Sequence, residues 1–145
     1  WGIRMWAKAL NEDANISDIL RQGFQLAGVQ DAFGFLDSLM YVLATAGKGV
    51  IDVRCPGCSE ISTDEHRILG AIAIYQCEID LADGDPYLSC WLGSTALRIA
   101  REPTIKLANA LKTGGLLLRS RPWVLTVSNI SLDAPRLLRE SHTVH

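Results

Sequence analysis

The chain has 145 residues, of which 48% are hydrophobic and 21% charged, and its formal net charge is −2. This length suits one domain with a substantial core and leaves no room for a second. No apolar run approaches the roughly 18 residues that a membrane-spanning helix needs, so we expect no membrane insertion. The high apolar fraction favours association with a second copy or with another subunit.

Apolar spacing in the first half of the chain predicts three helices. The first covers residues 1–10, and the second covers 16–28, with Asn15 as its cap and a glycine as its stop. The third covers 31–47 and carries few charges, so we expect it to be the most buried element.

Helical spacing continues in the second half. A helix is predicted over 63–80, and the next apolar stripe starts at Pro86, a residue favoured in a first helical turn. Pro103 predicts a break near Glu102, because proline lacks the N–H of a helix interior. A last helix is then closed by Gly114-Gly115.

Two segments have the composition of strands. Residues 50–54 are rich in β-branched side chains, and 116–127 combine leucine, valine and tryptophan. The predicted fold class is therefore mostly α, a compact bundle of about six helices with a small β element around 50–54 and 116–127. Residues 1–127 form the single domain, and 128–145 form a loosely held C-terminal tail with little to bury.

A cysteine motif precedes the helix predicted to begin at Thr63. Cys55-Pro56-Gly57-Cys58 places a Pro-Gly turn between two cysteines, and Ser62-Thr63-Asp64-Glu65 follows it. A serine with a glutamate three residues later is a capping box, in which each side chain accepts a backbone N–H of the other residue. The motif therefore lies on a loop just before a helix.

The cysteine pair has three interpretations. Cys55 and Cys58, with His66, form a candidate zinc or iron site, because two cysteines at this spacing can hold one tetrahedral ion. A fourth ligand is missing, since Cys77 lies about 15 Å from His66 along the same helix. A redox dithiol is the second interpretation, although the helix starts further from the cysteines than in thioredoxin-like proteins. A plain Pro-Gly turn is the simplest.

The cysteine content also bears on the compartment. Four cysteines are too few and too unevenly spaced for the disulfide framework of a secreted domain. The expected compartment is therefore a reducing cytoplasm.

Charge is distributed unevenly along the chain. Residues 1–93 carry six Lys or Arg against thirteen Asp or Glu, whereas 94–145 carry eight against three. Basic residues in the C-terminal part are candidates for phosphate contacts. The candidate anion-binding residues are Arg98, Arg101, Arg119 and Arg121. The alternative is a solvated or internally paired face, with Arg98 and Glu102 spaced for an i,i+4 ion pair.

Trp6, the cysteine motif and Ser62-Thr63-Asp64-Glu65 together resemble an uncharacterised family of short, mostly helical bacterial proteins with a Cys-rich turn before an S-x-D-E helix start. The resemblance covers residues 1–115. It implies a mostly helical fold and assigns no activity.

Catalytic motifs are missing from the sequence. Residues 92–96 lack the second glycine of a nucleophile elbow, and 46–49 lack the upstream glycine of a phosphate loop. We therefore interpret the chain as a non-enzymatic protein-interaction subunit or small regulator, present as a homo-oligomer or within a complex. Two alternatives stay open: a metal-binding or thiol-redox protein that uses the cysteine motif, and a nucleic-acid or polyanion binder that uses the basic C-terminal part.

Overall fold

A computed structural model describes residues 1–12, 15, 17–77, 84–119 and 139–141 of the chain, the last three by their backbone alone. Six helices and two strands lie within these residues: α1 Gly2–Glu12, α2 Ser17–Leu26, α3 Ala32–Ala46, β1 Asp52–Arg54, α4 Thr63–Gln76, α5 Asp85–Leu88, α6 Ser94–Thr113 and β2 Arg139–Ser141. The fold is mostly α and compact, which confirms the predicted class.

Helices α3 and α4 both pack against α6 and form the core with it. α3 and α6 run antiparallel, because Lys48 N, just after α3, donates to Trp91 O, just before α6, over 2.8 Å. At the opposite ends of the two helices, Lys106 Nζ lies 5.9 Å from the centre of the Phe35 ring.

The most buried helix is α4, which corrects the expectation for α3. Nine of the 14 residues of α4 are buried, against five of the 15 in α3. The periodic stripe of α3 predicts one buried face, whereas α4 is enclosed by β1, α5 and α6. This burial is caused by elements that are distant in sequence, so the sequence of α4 alone does not predict it.

The predicted capping box at the start of α4 is confirmed. Glu65 N donates to Ser62 Oγ over 3.0 Å, and Ser62 N donates to Glu65 Oε2 over 2.8 Å. The other end of this helix is predicted at residue 80, but α4 ends at Gln76, and 78–80 lie outside the described residues.

α6 continues through Pro103, so the predicted break near Glu102 is wrong. The helix is 20 residues long. Proline removes the one N–H that would bond to the carbonyl of Ile99. Packing of α6 against both α3 and α4 outweighs that loss, and the buried Thr104 Oγ1 adds a hydrogen bond to Ala100 O over 2.7 Å.

Glycine ends two of the helices as expected. Gly28 after α2 and Gly115 after α6 have φ angles of 72° and 79°, in the left-handed region that suits glycine. At the start of α2, Ser17 N donates to Asn15 Oδ1 over 3.3 Å, which agrees with Asn15 as the cap.

β1 and β2 form a two-stranded parallel sheet, with Asp52 opposite Arg139 and Arg54 opposite Ser141. The strand predicted at 50–54 is thus confirmed as β1. Residues 116–119 form no strand, and 120–127 lie outside the described residues. β2 falls in the segment predicted as a tail, of which 128–138 and 142–145 also lie outside them.

Candidate functional site

The cysteine motif is closed by a disulfide bond between Cys55 and Cys58, whose Cα atoms are 5.3 Å apart. Cys58 N also donates to Cys55 O over 3.0 Å, so the Pro-Gly turn predicted here is present. Both cysteines are partly buried, and Gly57 at the tip of the turn is exposed. The pair is therefore a small covalent ring at the protein surface.

Arg4 of α1 reaches this ring with its guanidinium. Its Nη1 donates to Cys55 O over 3.3 Å and to Cys58 O over 2.5 Å, and its Nη2 donates to Glu60 O over 2.5 Å. We call the guanidinium and these three carbonyls the Arg4 clamp. Three carbonyls of one loop thus converge on one cation of another element.

The Arg4 clamp is anchored by the carboxylate of Glu65. Arg4 Nε lies 2.6 Å from Glu65 Oε1, and Arg4 Nη2 lies 3.1 Å from Oε2. The side chains are 11% and 4% exposed, so both charges are largely removed from water. The hydrogen bond to Glu65 raises the pKa of the Arg4 guanidinium, which therefore stays charged.

The predicted metal ligands do not come together as a set. The two cysteine sulfurs are bonded to each other and are not thiolates, which are the form that binds a metal. His66 Nδ1 lies 3.0 Å from Ser62 O on its own helix. Within the described ranges, no three His, Cys, Asp or Glu side chains form a metal-binding group.

A second charged cluster lies beside the start of α4. Arg67 Nη1 bonds to Asp64 Oδ1 over 2.9 Å, and the Arg67 guanidinium lies 5.9 Å from the centre of the Trp91 ring. Asp64 Oδ2 accepts the backbone N–H of Asp52 over 2.8 Å. Each group contacts a fixed partner of the scaffold, so this cluster joins β1, α4 and the turn before α6.

A third cluster joins α4, α5 and α6. Arg101 forms a two-pronged ion pair with Asp85, and its Nε lies 3.2 Å from Asp85 Oδ1. Tyr75 Oη donates to the same Oδ1 over 3.4 Å. Burial, together with the Asp85 charge, raises the pKa of Tyr75 to about 12.

The four candidate anion-binding arginines do not form one described surface. Arg101 is paired with Asp85, while Arg98 and Arg119 are exposed. Arg121 lies outside the described residues. The pair expected between Arg98 and Glu102 is replaced by one from Lys106 Nζ to Glu102 Oε1 at 2.7 Å, since Lys106 is also four residues away.

Cys77 and Cys90 are not in a disulfide, and both residues are exposed overall. The Cys90 sulfur nevertheless turns inward and donates to Tyr87 O over 3.4 Å. Burial of that sulfur raises the pKa of the Cys90 thiol to about 11. Cys90 is therefore a thiol rather than a thiolate at neutral pH.

An apolar surface runs along α2. Ile19 and Leu26 are seven residues apart and share one helical face, with exposed fractions of 52% and 83%. Between them, a Cβ at Gly23 would lie 2.5 Å from the Trp1 ring, so the indole, 58% exposed, rests on the helix at this point. We call Trp1, Ile19 and Leu26 the α2 strip.

An open cavity of about 700 Å³ lies between the α2–α3 turn and the end of α6. Asp31, Lys106 and Asn109 supply polar groups to its wall. Lys106 is already paired with Glu102, at 2.7 Å from its Oε1.

The sequence alone did not predict that Arg4 binds the disulfide loop and Glu65, nor that the α2 strip exists. Arg4 is a single basic residue 61 positions before Glu65, so no local spacing links the two. Gly23, four residues after Ile19, was the available signal for a ring resting on α2.

No family model, curated protein or solved structure matches this chain. The resemblance to short helical bacterial proteins thus stays a prediction. No helix among the described residues is both long enough and apolar enough to cross a membrane.

Proposed function

We propose that the chain is a non-enzymatic interaction subunit that pairs with a second copy of itself through the α2 strip. The observation that carries the proposal is the exposure of three large apolar side chains, 52 to 83%, at one surface: Ile19 and Leu26 on α2, and the Trp1 ring that rests against Gly23 between them. Contiguous apolar surface of this kind is typical of sites that are covered by a partner.

The α2 strip suits a two-fold symmetric contact. Trp1 rests on Gly23, close to the middle of the strip, and Ile19 and Leu26 form its two ends. When two α2 helices pack antiparallel about a two-fold axis, Ile19 of one copy faces Leu26 of the other. Both ends are aliphatic, so the strip is complementary to itself.

The charges on α2 also favour self-association. Ser17–Leu26 contains one acid and one base, Asp18 and Arg21, whose side chains lie 3.4 Å apart. The helix therefore has no net charge, and two copies meet without the repulsion that a single-sign surface produces. A tryptophan at the centre is the residue type that most often dominates such contacts.

The charged clusters support a non-enzymatic role. Arg4 with Glu65, Asp64 with Arg67 and Asp85 with Arg101 each have both partners in contact. They connect elements of the scaffold, and none faces the 700 Å³ cavity. Groups arranged in this way stabilise the fold.

The test is the mass of the protein in solution. Light scattering at tens of micromolar should give twice 15.9 kDa. Leu26→Gln should weaken the dimer about tenfold, since it removes a large apolar side chain from the contact in both copies, and a tenfold change corresponds to about 1.4 kcal/mol. Leu117→Gln is the matched control, because Leu117 is 69% exposed but lies outside the α2 strip.

Three outcomes would overturn the proposal. The first is a monomer at all concentrations. The second is a dimer that Leu26→Gln leaves intact. The third is a complex with a different protein that occupies the α2 strip, which would keep the interaction role but replace the second copy.

The expected compartment remains the cytoplasm, and the two free cysteines, Cys77 and Cys90, support it because oxidising compartments disfavour free thiols. Polyanion binding through the exposed Arg98 and Arg119 remains the alternative function. Binding of single-stranded or duplex nucleic acid that weakens steeply with salt would support that alternative.

A further inference from the structure

We propose that Cys55–Cys58 is a thiol–disulfide exchange site whose reduction releases the Arg4 clamp and loosens α1. The substrate class is a dithiol reductant, either a small molecule or a protein. The proposal is independent of self-association, because it concerns the attachment of α1 to the loop before α4.

The disulfide lies where a reductant can reach it. Both cysteines are partly buried, Gly57 beside them is exposed, and no heavy atom other than those of its chain neighbours lies within 4 Å of a Cβ placed at Gly57. The tip of the turn is therefore open to solvent, and neither cysteine beside it is fully buried. In a reducing compartment, disulfides in contact with solvent are typically transient or redox-sensing.

The disulfide also determines the geometry of the carbonyls that Arg4 binds. Cys55 O and Cys58 O belong to the two residues that the S–S bond joins, and both accept from the same Arg4 nitrogen. Without the covalent bond, the turn is closed by the single hydrogen bond from Cys58 N to Cys55 O. The reduced loop samples more conformations, and the two carbonyls no longer converge on one point.

The exchange is a balanced two-electron reaction. A thiolate of the dithiol attacks one of the two cysteine sulfurs, the S–S bond breaks, and a mixed disulfide forms. The second thiol of the reductant then displaces the chain's sulfur. The reductant leaves as a disulfide, oxidised by two electrons, and its two protons remain on Cys55 and Cys58 as thiols.

Loss of the clamp acts on α1 because Arg4 is in that helix. Arg4 keeps its pair with Glu65 but loses the convergent carbonyls of Cys55 and Cys58. A buried guanidinium with unsatisfied donors is costly, so opening of α1 towards water becomes more favourable. Reduction therefore changes the local stability of α1 and leaves α3 and α6 in place.

The test is amide hydrogen exchange of the full chain with and without dithiothreitol, in a Cys77→Ser, Cys90→Ser background that leaves one cysteine pair. Reduction should add two hydrogens to the mass and speed exchange in α1 about tenfold, the effect of losing roughly one charged hydrogen bond. Exchange in α3 should not change. The Cys55→Ser, Cys58→Ser double variant should match the reduced protein.

The Arg4→Met variant tests whether the faster exchange of α1 after reduction depends on the Arg4 clamp or is a general effect of reduction. In this variant α1 should already exchange fast, and dithiothreitol should add nothing. Lys8→Met is the matched control, because Lys8 lies on α1, pairs with Glu12 at the surface and should leave the redox response intact. Unchanged α1 exchange after reduction, equal acceleration in α3, or resistance of the disulfide to the reductant would each overturn the proposal.

Discussion

Arg4 and Glu65 form a largely buried ion pair that joins the first helix of the chain to the start of α4. Two nitrogens of the guanidinium face two oxygens of the carboxylate, at 2.6 and 3.1 Å. Glu65 Oε2 also accepts the N–H of Ser62, so one carboxylate serves both the ion pair and the capping box. The disulfide loop, α1 and α4 therefore depend on a single side chain.

Neutralising Glu65 should be strongly destabilising. Glu65→Gln keeps the shape but leaves Arg4 without its counter-charge, and removing one partner of a buried pair costs roughly 3–5 kcal/mol. Urea unfolding at neutral pH measures the change. Glu60→Gln is the control, because Glu60 contributes only its backbone carbonyl to Arg4 and is exposed. Equal effects of the two variants would show that the pair does not matter for stability.

Ser62→Ala should cost about 1–2 kcal/mol. The hydroxyl accepts from Glu65 N over 3.0 Å and donates to Asp52 O in β1, so the substitution removes a cap and a link to the strand. Ser59→Ala, at an exposed position before the cap, should be close to neutral. A loss below about 0.5 kcal/mol for Ser62→Ala would contradict the importance of the cap.

The relation between these two variants shows what sequence could and could not predict. The S-x-x-E spacing is local and predicted the capping box, but it does not indicate the ion pair that makes Glu65 the larger contributor to stability. Arg4, the partner in that pair, is 61 residues away, and the contact forms only when α1 packs near the start of α4. Local hydrogen bonding could be predicted, and burial by distant elements could not.

The same distinction explains the remaining differences from the predicted fold. Helical spacing located the core helices, because an amphipathic pattern is a property of each segment. The predicted break at Pro103 was wrong because the low helix propensity of one residue is outweighed by the packing of α6 against α3 and α4. The spacing could not select the disulfide between Cys55 and Cys58, because two intervening residues suit a plain turn, a metal site or a redox dithiol equally well.

Replacing two helical glycines with alanine should change the stability of the protein in opposite directions. A Cβ at Gly70 in α4 would lie 2.4 Å from the buried Tyr87 ring, so Gly70→Ala should destabilise by roughly 1–3 kcal/mol. Gly34 in α3 has no atom within 4 Å of such a Cβ, and Gly34→Ala should stabilise by about 0.5–1 kcal/mol through helix propensity. Thermal or urea unfolding of both variants tests the packing of α5 on α4, and the same sign for both would contradict it.

Tyr75 should make stability depend on alkaline pH. Its pKa rises from about 10 in the unfolded chain to about 12 in the folded one, so the phenol stays neutral in the native state while the unfolded state ionises. This contribution is present below pH 10 and is lost progressively as the pH rises towards 12. The difference in unfolding free energy between the native sequence and Tyr75→Phe should show this slope, and absorption at 295 nm should lose a transition near pH 12 in the variant. A pH-independent difference would contradict the burial of this hydroxyl.

Gln76 at the end of α4 holds the chain just after α6 by its side-chain amide. Its Nε2 donates to Leu116 O over 2.8 Å, and its Oε1 accepts Leu118 N over 2.7 Å, in the manner of a strand partner. Gln76→Glu replaces the donor by a carboxylate oxygen that faces a carbonyl, so we expect a loss of roughly 1–3 kcal/mol at pH 7.

That loss should shrink on acidification. Repulsion from the carbonyl of Leu116 raises the pKa of the introduced carboxyl, and its protonated form can donate to that oxygen again. Urea unfolding at pH 7 and at pH 4 measures the change, and hydrogen exchange of the Leu118 amide reports the local effect. Gln30→Glu, at an exposed position after α2, should show neither the loss nor its pH dependence. An equal loss at both pH values would mean that the amide does not hold this segment by donating a hydrogen bond.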